Sequence, residues 1–90
     1  MQKLGLYDRF MFETVDRPDP AVALSPRELE VLEMASHGLT NMQIAAKLFV
    51  STHAIKFHLA GVYRKLGVRN RTEAVVLYVT ASRVRESGTS

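Results

Sequence analysis

A chain of 90 residues without cysteine has room for one small domain and offers no disulfide framework, thiolate zinc site or cysteine nucleophile. The longest apolar run, Ala74 to Val79, falls far short of the ~20 residues that span a bilayer, and the first residues lack the apolar stretch of a signal peptide, so a cytoplasmic protein is expected. The net charge of +3 hides an uneven distribution: residues 47 to 85 carry Lys47, Lys56, Arg64, Lys65, Arg69, Arg71, Arg83 and Arg85 against Glu73 alone, a basic half that suits a polyanion as well as it suits plain solvation.

Residues 1 to 23 read as an N-terminal tail and linker, because Asp16-Arg17-Pro18-Asp19-Pro20 is turn-rich and extended. Ahead of it Leu4, Tyr7, Phe10, Met11 and Phe12 line one side of a possible short helix over 4 to 15, with a disordered tail as the other reading. From Leu24 the punctuation becomes regular. Ser25-Pro26-Arg27-Glu28 is a capping box with proline where a missing N–H costs nothing, and Leu24 and Leu29 flank it at the spacing of a hydrophobic staple. A first helix over about 26 to 37 follows, with Leu29, Leu32 and Ala35 on one face and Gly38 as its left-handed stop.

Thr40-Asn41-Met42-Gln43 repeats the box and starts a second helix over 41 to 48, carrying Ile44, Ala45 and Leu48. Ser51 or Thr52 caps a third over 52 to 66, which Gly67 ends. Two short helices in such close succession are the signature of a helix-turn-helix. Asn70-Arg71-Thr72-Glu73 opens a fourth helix over 71 to 83, leaving 86 to 90 as a disordered tail. No segment alternates with period two, so the expected fold is all-α, a four-helix bundle occupying residues 24 to 85.

At 100° per residue, Ile55, Leu59, Val62 and Leu66 fall on one stripe of the third helix, which makes them core. Opposite lie His53, Lys56, Phe57, Ala60, Gly61 and Arg64, a small, partly basic face that a DNA major groove can accept. Lysine and arginine donate to guanine O6 and N7, and apolar atoms meet the thymine methyl. For Phe57 two readings stay open, a methyl contact or a ring folded back on the turn. Lys65, Lys47 and Arg71 lie toward the flank, better placed for phosphate than for a base edge, and the amino end of the second helix with Thr40 and Asn41 forms another phosphate site. On the fourth helix Ala74, Leu77, Tyr78 and Ala81 make a core face, while Val76 and Val79 line up with Thr72 and Arg83 on the opposite side. That second apolar stripe is read as the interface of a two-fold homodimer, the alternative being that residues 4 to 15 cover it.

Leu24-Ser25-Pro26-Arg27-Glu28-Leu29-Glu30-Val31-Leu32, Gly38-Leu39-Thr40-Asn41, Ile44-Ala45, Ser51, Ile55-Lys56-Phe57-His58-Leu59, Lys65-Leu66-Gly67-Val68 and Arg71 with Ala74-Val75 follow one another in an order and spacing that resembles the LuxR-type helix-turn-helix domain, the output module of NarL/FixJ response regulators and of quorum-sensing regulators. The likeness runs from residue 24 to about 82. It implies a bacterial transcription regulator whose third helix enters the major groove, whose last helix supports dimerisation, and which meets promoter DNA together with RNA polymerase. By position it places Lys56 and Phe57 among base contacts and Thr40, Asn41, Thr52, Lys65 and Arg71 on or near phosphate contacts. The chain departs from the family pattern at Ala54, Ala60 and Gly61, where threonine, a polar or basic residue and asparagine are usual; a mid-helix glycine costs about 1 kcal/mol against alanine. Full-length members place a receiver or ligand-binding domain ahead of this module, and 23 residues are too few for one.

No enzyme is expected. His37, His53 and His58 have no cysteine partners, His53 and His58 point about 140° apart on their helix, and no glycine-rich phosphate loop occurs. Neither a metal nor a cofactor nor a small-molecule ligand is implied, and no membrane. The rival function is a helix-turn-helix turned protein-interaction module, gripping another regulator or a polymerase subunit through Phe57 and the valine stripe.

Overall fold

A computed structural model describes residues 18–89, all of whose regular structure is helical. Each helix begins where a side chain can satisfy its orphan N–H groups. The Asp19 carboxylate accepts from the Ala21 N–H and opens the one-turn helix α1 (Pro20–Ala23). Ser25 opens α2 (Pro26–Ser36), its hydroxyl accepting from the Glu28 N–H at 3.2 Å while the Glu28 carboxylate accepts from the Ser25 N–H at 2.9 Å. Thr40 and Gln43 repeat this reciprocal pair at the start of α3 (Asn41–Leu48). Ser51, rather than Thr52, caps α4 (Thr52–Leu66), which ends at Gly67 with φ 69°. Asn70 accepts from the Glu73 N–H at the head of α5 (Arg71–Thr89).

Two sequence expectations are corrected here. Residues 20 to 23, assigned to the linker, form a turn of helix whose Pro20 is buried, because Asp19-Pro20 offers the same cap and first-turn proline as Ser25-Pro26. The last helix does not stop near residue 83 but continues through Thr89, so residues 86 to 89 are not a disordered tail; Val84-Arg85-Glu86 contains no breaker, and Gly88 enters only in the final turn. The possible helix over 4 to 15 lies outside the described residues.

Packing follows the helix periodicity. Leu24, Leu32, Val62, Leu66, Ala74 and Leu77 form one buried cluster between α2, α4 and α5, onto which Leu29 and Tyr78 pack from the edge. Val31, Ala35, Ile44, Ala45, Ile55 and Leu59 form a second between α2, α3 and α4. Tyr63 and Val75 touch both clusters and make the core continuous. The α4 stripe Ile55, Leu59, Val62 and Leu66 is buried along its whole length, as its spacing predicts. Each such side chain taken out of water stabilises the fold by about 1.5 to 3 kcal/mol before conformational entropy is set against it. Because α4 contributes to both clusters, its outer face is held in a fixed direction.

The turn between α3 and α4 is closed by Phe49, whose backbone is left-handed (φ 58°) and whose ring is 93% exposed. A phenylalanine there meets the steric cost of the left-handed region without compensating burial. Asparagine tolerates this conformation, so Phe49→Asn is expected to stabilise the domain by about 1 kcal/mol, read as a higher thermal midpoint with an unchanged helical spectrum.

Candidate nucleic-acid interface

Opposite its buried stripe, α4 exposes His53, Lys56, Phe57, Ala60 and Arg64. Phe57 is 74% exposed and meets the His58 ring edge-on, with centroids 6.0 Å apart, so it does not fold back on the turn. Gly61 is a correction: placed by angle on this face, it is buried, because its direction is the flank of the helix that α2 covers.

The amino end of α3 is fixed from two sides. Within the helix Thr40 and Gln43 satisfy each other's backbone N–H groups, and from α5 the Arg71 guanidinium donates to Asn41 Oδ1 at 2.8 Å and to the Leu39 carbonyl. The N–H groups of Asn41 and Met42 therefore emerge from a rigid first turn beside a guanidinium, where the helix dipole also favours an anion. Lys47 is exposed in the last turn of α3, and Thr52 is half-buried in the first turn of α4. Four expected phosphate contacts thus have partners inside the domain: the Thr40 hydroxyl accepts from the Gln43 N–H, Asn41 and Arg71 bind each other, and the Lys65 ammonium lies 2.9 Å from Glu28 Oε1.

Sequence reasoning assigned Glu28 only a capping role. It is the single buried charged residue among those described, 8% exposed, and one carboxylate oxygen serves both the Ser25 N–H and Lys65. Burial alone pushes its carboxyl up, but the hydrogen bond from Lys65, those from Ser25 and the ammonium charge outweigh burial and leave it below the ordinary 4.5. Because the folded value is depressed, the pair's contribution is complete above about pH 4.5 and is lost as pH falls through the folded value. Wild type should therefore lose thermal stability below pH 4.5 more steeply than Glu28→Gln; parallel melting curves from pH 6 to 3 would rule the ion pair out as a source of acid sensitivity. Tyr63, half-buried where the two clusters meet, has its phenol pushed up by burial, partly offset by the nearby Arg71 charge.

A buried helix pair presenting an outward cationic face, with a braced amino end beside it, defines a helix-turn-helix domain of the kind that docks on nucleic acid. The family model of bacterial regulatory proteins of the luxR family matches residues 22–78, and the chain belongs to that family: it is a LuxR-family transcription-regulator DNA-binding domain, not an enzyme. It is 46% identical over 65 residues to the probable transcriptional regulatory protein SgaR of Hyphomicrobium methylovorum, covering 72% of this chain and 31% of that protein. Among solved structures, the response regulator ChrA of a heme-sensing two-component system is 50% identical with a TM-score of 0.59, over 71% of this chain and 30% of its own. The DNA-binding domain of the response regulator ComA, solved in complex with the anti-activator RapF, is 40% identical with a TM-score of 0.59, over 61% of this chain and 95% of its own. The chain thus spans about a third of the length of SgaR and of ChrA. No helix among the described residues is long and apolar enough to cross a membrane.

Proposed function

We propose that the domain reads promoter DNA by laying α4 in the major groove. Lys56 and Arg64 donate to base edges, His53 offers a ring nitrogen, and Phe57 and Ala60 supply apolar contact to thymine methyl groups. Around them Thr40, Asn41, Lys47, Thr52 and Arg71 meet phosphates, and Lys65 does so with the ammonium hydrogens that Glu28 leaves over. The observation that carries this reading is the pairing of a wholly buried stripe on α4 with an exposed cationic face directly opposite. Selection of bound duplexes from a random pool, repeated at several salt concentrations, tests it. Recovery of a two-fold symmetric motif with half-sites about one helical turn apart supports it, and binding too weak to enrich any sequence at low salt refutes it.

Two copies pair through the outer stripe of α5, where Thr72 and Arg83 are exposed, Val76 is 46% exposed and Val79 is 37% exposed. Val76→Asp should change the stability of the folded monomer by no more than about 0.5 kcal/mol, as a surface change does, and convert a sedimenting dimer to a monomer. A wild-type chain that sediments as a monomer on cognate DNA and at high concentration refutes the interface. Within a regulator the same domain would meet RNA polymerase at the promoter. A second reading is favoured by the exposed Met42, Phe49 and Phe57 and by the capture of the ComA domain by RapF: a protein partner docks here. Such a partner would tolerate Lys56→Glu, which a DNA reader would not.

A further inference from the structure

The reading helix carries a glycine in its middle, and the fold buries it. Glycine weakens a helix interior, so a buried one inside 15 residues of α4 asks for a steric cause. A Cβ at Gly61 would stand 2.7 Å from Glu28 Oε2, closer than side chains tolerate. The end of a flexible side chain ordinarily swings aside from such a contact. This one is held, because the other carboxylate oxygen accepts from the Ser25 N–H and from Lys65 Nζ, each at 2.9 Å, and the residue is buried. Turning the carboxylate away would break a buried capping bond and a charge-assisted one together. The next nearest group, Arg64 Nη2 at 3.7 Å, is in ordinary contact, so the conflict is with Glu28 alone.

We propose that Gly61 is a specificity-determining position that never touches DNA: its missing side chain lets the Glu28 carboxylate lie against α4, and this contact sets how α4 is seated on α2. The inference rests on α4 being the base-contacting helix. Lys65 lies one turn beyond Gly61 on the same flank, so the carboxylate grips α4 at two successive turns. Ala60 precedes Gly61, Arg64 follows one turn later on the outer face, and Lys56 lies one turn before Ala60. Restoring ordinary contact requires the Cβ and the carboxylate to separate from 2.7 Å to at least 3.4 Å. With the carboxylate pinned, α4 makes the move, and base-edge hydrogen bonds do not survive displacements of that size.

The test compares wild type, Gly61→Ala, Glu28→Asp and the double variant on the selected duplex and on a scrambled one, with thermal melts without DNA alongside. Gly61→Ala is expected to lose about tenfold in discrimination between the duplexes, the equivalent of one base contact, while its affinity for the scrambled duplex and its salt slope stay at wild-type values. Glu28→Asp withdraws the carboxylate by one methylene, so the double variant should regain the discrimination of Glu28→Asp, and the melts should show the two substitutions coupled. Should Gly61→Ala fail to fold, the double variant carries the comparison. Discrimination equal to wild type in Gly61→Ala, or a double variant poorer than Glu28→Asp, overturns the proposal. A wild type that does not discriminate refutes the base-contacting reading of α4 and the proposal with it.

Discussion

Exchanging Lys56 for glutamate is expected to abolish sequence-selective DNA binding while leaving the domain folded. Lys56 is exposed on α4 and makes no ion pair among the described residues, so its loss withdraws no support from the core. A base-edge contact is worth about 1 to 3 kcal/mol, and the new carboxylate adds repulsion from phosphates on either wall of the groove. Together these amount to about 3 kcal/mol or more, a loss of at least a hundredfold in affinity. Anisotropy titration of the selected duplex, with circular dichroism melting beside it, reads both quantities. Lys56→Gln keeps a donor and adds no negative charge, so it should lose less and relax preference at one base pair. Affinity unchanged in Lys56→Glu would turn this face of α4 away from DNA. Lys65→Glu makes an instructive contrast: it places a second carboxylate against Glu28, so its loss of binding should come with a lower melting midpoint.

What the sequence made legible was local. Capping boxes span four residues, and the stops at Gly38 and Gly67 need only their own backbone angles, φ 87° and 69°; both kinds of signal sit within one helical turn. The α4 stripe was legible because four large aliphatic residues at helical spacing leave one direction for the core. The same argument misplaced Gly61, because a helix wheel tells the core side from the far side but leaves the flanks undecided. Whether a flank meets water or a neighbour depends on how α2 crosses α4, a tertiary fact. The bond from Arg71 to Asn41 joins residues thirty positions apart, and no local pattern announces it. The Lys65–Glu28 pair is likewise non-local, although Glu28 was already marked by its cap. Residues 20 to 23 were missed for a different reason. Asp19-Pro20 carried the same signature as Ser25-Pro26, and its neighbours Arg17 and Pro18 drew the segment toward an extended reading.

Ile55→Ala should have the largest effect on stability, and through stability on function. Ile55 is fully buried in the first turns of α4 and shares its cluster with Val31 and Ala35 of α2 and Ile44 and Ala45 of α3. Removing three carbons there forfeits transfer energy and leaves a cavity lined by three helices, a cost of about 2 to 5 kcal/mol. A domain of this size is stable by roughly 5 to 10 kcal/mol in all, so at the middle of both ranges the variant keeps about half its stability, and its melting midpoint should fall by roughly 15 °C. Ile55→Val, which removes a single carbon, should cost about 1 kcal/mol. Since α4 supplies both the core stripe and the reading face, the folded fraction of Ile55→Ala should still discriminate between duplexes as wild type does. Saturating cognate DNA should then stabilise wild type and variant alike, by about 3 kcal/mol at a hundredfold excess over Kd, and raise both midpoints. A variant that folds on added DNA yet no longer discriminates would show that Ile55 aims α4 as well as anchoring it, as proposed above for Gly61 on its flank.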